Sequence, residues 1–307
     1  MRIVFMGTPD FAVPCLQAVL DAGHEVCGVF TQPDKPKGRG YTLTPPPVKE
    51  LAMQYGLPMY QPSSLRTGEA FEIIKELAPE LIAVVAYGKI LPKEILELPP
   101  LGCVNVHGSL LPKYRGAAPI QWAVLNGDAV TGVTTMYMAE GMDTGDILLT
   151  EETEIPPDET SGELFDRLKD MGARLLVRTI EGLAAHELTP KPQNESEATH
   201  APMLSKELSM IDWNATAQEV HNKVRGLFPW PVALTTFNGK RMKVLKTAVD
   251  MEQNGQPGKA FSNKGEFWVY CGKGAVQLLE IQPENGKRMA GKAYLLGHPL
   301  DETSTLG

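Results

Sequence analysis

Residues 81–86 read LIAVVA, six apolar residues with no polar alternate. A strand with one wet face alternates, so an unbroken run of this length, ended by Tyr-Gly-Lys, belongs to a strand covered on both faces. Such strands occur in parallel sheets flanked by helices. The chain opens in the same manner: residues 2–6 (RIVFM) lead into Gly7-Thr8-Pro9-Asp10, residues 13–20 have helical spacing, and residues 24–30 (HEVCGVF) resume as a strand. Residues 103–107 (CVNVH) repeat the strand, residues 131–138 alternate, and residues 147–153 follow as their edge partner. Apolar residues at Leu164, Phe165, Leu168, Met171, Leu175, Leu176, Ile180 and Leu183 predict a long amphipathic helix. Strand, helix and parallel strand in succession imply crossover connections. Residues 1–188 are therefore expected to form a doubly wound, Rossmann-like α/β domain.

Residues 189–204 begin TPKPQNESEATHAP, polar and without period, and are expected to be a linker. Beyond them, one helix near residues 216–225 is followed by short β-rich runs (ALTTF, RMKVLKTAV, GKAF, EFWVYC, GAVQLLEIQP). Several short strands in about 100 residues suggest a small OB-like β-barrel over residues 205–307. Charge divides along the same line. The whole chain carries −8, but residues 1–204 hold 16 basic against 27 acidic residues, whereas residues 205–307 hold 13 against 10. A basic region on an acidic body suggests that one part meets a polyanion. Cys15, Cys27, Cys103 and Cys271 form no C-x-x-C pair, and no apolar stretch approaches the ~18–20 residues of a membrane span. A cytoplasmic protein with reduced thiols, no membrane partner and a monomeric state is the expectation.

Neither G-x-G-x-x-G nor G-x-x-x-x-G-K-[ST] occurs, which disfavours a dinucleotide enzyme and a P-loop. The segment N-V-H-G-S-L-L-P-K-Y-R-G-A-A-P-I instead places Asn105 and His107 two apart at a strand end, on one face. Ligands of open α/β sheets gather beyond the carboxyl ends of the strands. An amide donor and an imidazole there suit the oxygen of a tetrahedral intermediate and the movement of a proton. The loop E-G-M-D-T-G-D, residues 140–146, offers Asp143 to stand beside His107 and orient a proton-relaying water. Taken singly, each piece also has a plain reading: a satisfied strand-end histidine, and a glycine-rich hairpin. Residues 31–49 are longer than the usual βα loop and rich in Pro and Gly. They carry Lys35, Lys37, Arg39 and Lys49 against Asp34, as a phosphate contact or a solvated loop would. Tyr87-Gly88-Lys89 follows the LIAVVA strand and suits either the wall of the same pocket or a simple turn.

These segments resemble the family of methionyl-tRNA formyltransferases over essentially the whole chain. N-V-H-G-S-L-L-P-K-Y-R-G-A-A-P-I-Q is similar to the signature of transferases that use 10-formyltetrahydrofolate, and T-G-V-T-T-M-Y-M-A-E-G-M-D-T-G-D-I-L to the companion segment with the aspartate. The resemblance implies Asn105, His107 and Asp143 as the catalytic trio and Ser109, Leu110, Leu111 and Pro112 as folate-binding residues. Q-P-D-K-P-K-G-R-G resembles the insertion that probes tRNA, which implies Arg39, Lys35 and Lys37 as tRNA-binding residues. V-R-G-L-F-P-W-P lies in a module resembling the family's OB-like tRNA-binding domain. The implied reaction moves the formyl group of 10-formyltetrahydrofolate, a co-substrate, to the α-amino group of methionyl-initiator tRNA. The same motifs also serve transferases acting on a small amine, a nucleotide sugar or purine precursor, although residues 205–307 would then lack an obvious use. Met142 stands where leucine is usual, a minor apolar exchange. The six histidines form no H-E-x-x-H or H-x-x-x-H pair, and no metal is expected.

Overall fold

The computed structural model describes residues 1–37, 42–66 and 68–307. The chain divides into two compact units.

The first unit comprises Met1–Pro119, Thr131–Thr153 and Phe165–Ala201. Its centre is a seven-stranded sheet of β1 (Arg2–Gly7), β2 (Glu25–Phe30), β3 (Met59–Tyr60), β4 (Leu81–Val85), β5 (Cys103–His107), β6 (Val130–Tyr137) and β7 (Ile147–Glu154), ordered β7-β6-β5-β4-β1-β2-β3. The pairs from β5 through β4, β1 and β2 to β3 are parallel, whereas β6 runs antiparallel to β5. The chain adds β2 and β3 on one side of β1 and the later strands on the other. The order therefore reverses between β1 and β4, the kind of crevice where such sheets bind ligands. All five residues of β4 are buried, as the unbroken apolar run predicts. Each Val, Leu or Ile of such a strand contributes about 1.5–3 kcal/mol on leaving water.

The helices follow from local chemistry. In Val13–Asp21, Pro14 occupies the first turn, where its missing N–H costs nothing. The predicted amphipathic helix spans Ser161–Ala184. On it, Gly172 faces Val106 of β5 so closely that a Cβ would lie 2.9 Å from the valine methyl. That glycine brings the helix against the strand that carries Asn105 and His107. Among the described residues no helix is long and apolar enough to cross a membrane.

The second unit comprises Ile120–Val130, Glu154–Leu164 and Pro202–Gly307. Its antiparallel sheet runs Ala233–Phe237, Lys240–Asp250, Ala275–Pro283, Glu266–Tyr270, Ala260–Asn263, with Met289–Ala290 paired to the third. The helix Ala217–Gly226 opens on a capping box between Thr216 and Glu219 and buries Val220 and Val224 in a core with Phe237, Phe267 and Ile281. The C-terminal tail meets both edges of the sheet: Gly307 exchanges hydrogen bonds with Thr236, and the Ala260 N–H donates to the Ser304 carbonyl.

The segment expected as a linker is bonded to the first unit as far as Ala201. Lys191 pairs with Ile147, and His200–Ala201 lies alongside Arg115–Gly116. Its polar, aperiodic sequence is tied down one contact at a time, which leaves no period to read.

Candidate functional site

On β5, Asn105 lies opposite Val84 and Met136, and His107 ends the strand opposite Thr134. The two-residue period places both side chains on one face. Asn105 is half-buried, and among the described residues its carboxamide has no hydrogen-bond partner. His107 is buried. Its Nε2 lies 2.9 Å from the Tyr114 carbonyl. A carbonyl only accepts, so Nε2 carries a proton, and Nδ1 is the nitrogen left over. Nδ1 faces Oδ2 of Asp143 at 3.7 Å, with both side chains largely shielded from solvent. That spacing exceeds a direct hydrogen bond and leaves room for a bridging group between the two.

Asp143 comes from the loop after β6. Its Oδ2 accepts the Gly116 N–H at 2.8 Å, and its main chain is left-handed, φ 54°. The structure thus brings His107 and Asp143 together from segments 36 residues apart by number, with Asn105 on the same face of the neighbouring strand position. An amide donor, an imidazole nitrogen and a carboxylate gathered at a sheet rim can polarise a carbonyl and move a proton.

The turn after β5 is held by its own polar groups. Ser109 is fully buried and its hydroxyl donates to the Lys113 carbonyl at 2.7 Å. The Thr134 hydroxyl donates to the Ser109 carbonyl at 2.7 Å and accepts the Leu111 N–H at 3.2 Å. Leu111 is buried, whereas Leu110 and Pro112 are half-buried. Leu110 lies over Gly132, where a Cβ would come within 2.6 Å of its methyl group. Ser109 therefore shapes the turn with its side chain, and Leu110 and Pro112 are the members of this segment that keep accessible surface.

At the reversal point, Thr8 donates to the Tyr87 carbonyl, which also accepts from Nε2 of Gln32, each at 3.1 Å. The Tyr87 ring is buried. It is packed in the core with Met6, Phe30 and Ile95, and burial pushes its phenol up to about 12. Lys89 turns its ammonium to the carbonyls of Pro62 and Ser63, and burial lowers its pKa.

Of the residues 31–49, Lys35–Lys37 and Thr42–Thr44 pair as a short antiparallel hairpin, with Lys35 exposed. Arg39 lies outside the described residues. Lys49 is engaged elsewhere: its ammonium donates to both Asp34 oxygens at 2.8 and 2.9 Å and to Gln61 at 2.9 Å. That lysine and the Gln61 amide hold the Asp34 carboxyl below its ordinary range. Among the described residues no three His, Cys, Asp or Glu side chains gather as metal ligands would.

Sequence reasoning missed three contributors. Tyr114 and Gly116 act through main-chain atoms, which no side-chain pattern announces. Gln193, whose Nε2 donates to the Asp143 carbonyl at 2.8 Å, sits in a stretch polar throughout.

Residues 1–180 match the family model described as formyl transferase, and residues 203–299 match that of the formyl transferase C-terminal domain. A methionyl-tRNA formyltransferase of Alkaliphilus oremlandii is 50% identical over 309 residues, covering 100% of both chains. Among solved structures, an N-formyltransferase of Helicobacter canadensis, in complex with folinic acid and dTDP-3-aminofucose, covers 91% of this chain and 99% of its own at TM-score 0.69 and 19% identity. HypX of Aquifex aeolicus, in complex with tetrahydrofolic acid, covers all of this chain at TM-score 0.64 and 17% identity. This chain spans 50% of that longer protein. Below 25% identity these two likenesses concern the fold, whereas the first relationship runs from end to end at half identity. On that relationship, and on both family models, the chain belongs to the formyl transferase family.

Proposed function

We propose that the chain transfers the formyl group of 10-formyltetrahydrofolate to the α-amino group of methionyl-initiator tRNA. The observation that carries this reading is the end-to-end 50% identity to a methionyl-tRNA formyltransferase, which includes the basic C-terminal third. A free α-amino group titrates near ~7.7–8.0, so much of it is already nucleophilic at neutral pH and needs positioning more than a strong base. Its nitrogen bonds to the formyl carbon, and the bond from that carbon to N10 breaks. The amine gives up a proton, N10 takes one, and tetrahydrofolate leaves.

The Asn105 carboxamide and a proton on Nδ1 of His107 meet the oxygen that becomes negative. Tyr114 supports this role by occupying Nε2. Asp143 takes up the amine proton through a bridging water and balances the imidazolium. Leu110, Leu111 and Pro112 bear on the folate, while Ser109 keeps their turn in shape. Arg39, Lys35 and Lys37 contact the tRNA backbone; Lys49 anchors the base of their insertion. Residues 1–188 carry the chemistry in a doubly wound, Rossmann-like domain, a reading supported by the reversal of strand order at β1. Residues 205–307 bind tRNA as an OB-like barrel, supported by the tail that bonds to both sheet edges. The enzyme works as a cytoplasmic monomer without a metal.

The decisive experiment offers labelled formyl donor with methionylated initiator tRNA, uncharged tRNA, free methionine or an amino sugar nucleotide. Label is expected on the methionylated initiator alone. Comparable transfer to the amino sugar nucleotide sinks the reading in favour of a small-amine enzyme.

A further inference from the structure

Asp143 is held in left-handed backbone, φ 54°. For a residue with a side chain this costs roughly 1–2 kcal/mol, less for Asp, and persists where neighbours enforce it. The enforcing neighbour is Gln193. Its Nε2 donates to the main-chain carbonyls of Asp143 at 2.8 Å and Gly145 at 2.7 Å, so both amide hydrogens are spent on the loop. Its Oε1 accepts from Nε and Nη2 of Arg115 at 3.0 and 2.8 Å.

Arg115 is itself buried, 4% exposed, and its remaining reach is bidentate to Glu195 at 2.8 and 2.7 Å. The guanidinium holds the Glu195 carboxyl below its ordinary range. Arg115 also directly precedes Gly116, whose N–H is bonded to the Asp143 carboxylate. The aspartate is thereby gripped twice, by its carboxylate and by its carbonyl, and both grips meet at Arg115.

We propose that Gln193, anchored by Arg115 and Glu195, is a positioning residue that sets Asp143 opposite Nδ1 of His107 for formyl transfer. This inference rests on the function proposed above. The residue type follows from the contacts: donation to two carbonyls and acceptance from a guanidinium require a carboxamide. Glutamate would keep the arginine but turn an oxygen on two carbonyls, and leucine would release both carbonyls and leave Arg115 held by Glu195 alone.

The test combines turnover and amide exchange in Gln193→Leu, Gln193→Glu, Asp143→Ala and the double variant Gln193→Leu/Asp143→Ala. Each Gln193 variant is expected to lower kcat about 10- to 100-fold, the scale of a small misplacement. KM for methionylated initiator tRNA should stay within about twofold, since the contacts displaced are catalytic ones. Added to Asp143→Ala, Gln193→Leu should change kcat less than about twofold, because a residue acting through its neighbour is non-additive with it. Fully additive losses would mark Gln193 as a general structural residue and overturn the proposal. In both variants the Gly116 amide and residues 139–146 should exchange hydrogen faster than in the parent; unchanged exchange overturns it equally. Should the parent enzyme transfer no formyl group to tRNA, the functional reading falls, and the exchange measurement still decides whether Gln193 holds the loop.

Discussion

Two histidines of this protein are equally buried, His107 at 6% and His221 at 5% exposure, yet their surroundings differ in kind. His221, on the helix Ala217–Gly226, has both nitrogens matched: Nδ1 lies 2.9 Å from the Thr247 hydroxyl and Nε2 3.1 Å from the Pro157 carbonyl. His107 has one nitrogen matched and the other turned on a carboxylate beyond hydrogen-bond distance. The asparagines divide likewise. Oδ1 of Asn222 accepts from Arg225 and Gln218, whereas Asn105 has no partner among the described residues. In the second unit the buried polar groups are used up within the fold; at the rim of the β1–β7 sheet, capacity is left over. Depth alone therefore does not mark a functional histidine. What sets His107 apart from His221 is a nitrogen left over opposite a carboxylate at the sheet rim.

The contrast is breakable at its strongest point. Asn105→Ala and His107→Ala should each lower kcat about 10²- to 10³-fold, the usual cost of removing one oxyanion donor. Filter binding of methionylated initiator tRNA should change little in the same proteins. Near-normal turnover in either variant would reduce His107 to the structural status of His221.

The reciprocal variant, His221→Leu, should leave kcat unchanged and lower the stability of the second unit by about 1–3 kcal/mol, because Thr247 and Pro157 lose a buried partner. Urea unfolding measures this. A turnover loss matching that of His107→Ala would erase the distinction between the two sites.

Acid should sharpen it. Burial pushes the His221 imidazole below its ordinary 6.5, against the weaker pull of Asp158. The unfolded chain then takes up a proton before the folded one does. This contribution is complete above pH about 6.5 and is lost as pH falls from there to the lower value of the folded state. The parent should accordingly unfold at lower urea at pH 5.5 than at 7.5, and His221→Leu should flatten that difference. An equal slope in both proteins would assign the effect to other groups.

The smallest effect concerns RNA. Affinity for tRNA should fall as salt rises, and Lys35→Ala or Arg39→Ala should each reduce the log–log slope by about one if each meets one phosphate. Lys49→Ala should alter the slope less, its ammonium being committed to Asp34 and Gln61. A flat salt response removes the electrostatic part of the tRNA assignment.

Much of the architecture is legible in particular stretches of sequence. Leu81–Val85 is a buried parallel strand because no polar residue interrupts it, and the helix ending at Ala184 follows its apolar spacing. The pairing of Asn105 and His107 on one strand face is equally local, a consequence of the period of two. Tyr87 is a counterexample. Its place after a strand suited a pocket wall and a simple turn equally; φ 47° at Ala86 and φ 81° at Gly88 turn the chain there, and the ring lies in the core. The 189–204 segment is another, since its contacts to Ile147, Arg115 and Asp143 leave no periodic trace.

By itself, the amino-acid order determined the longer strands and helices of both units and the residue types available for catalysis, since periodicity and side-chain identity are properties of short segments. Only the tertiary structure decided which imidazole nitrogen stays free, which lysine of the insertion is tied down, and that Gln193 reaches the carbonyl of a residue 50 positions earlier. Those outcomes depend on contacts between distant segments and on main-chain donors and acceptors. Every residue type carries the same main-chain groups, so their use is written in geometry and not in composition.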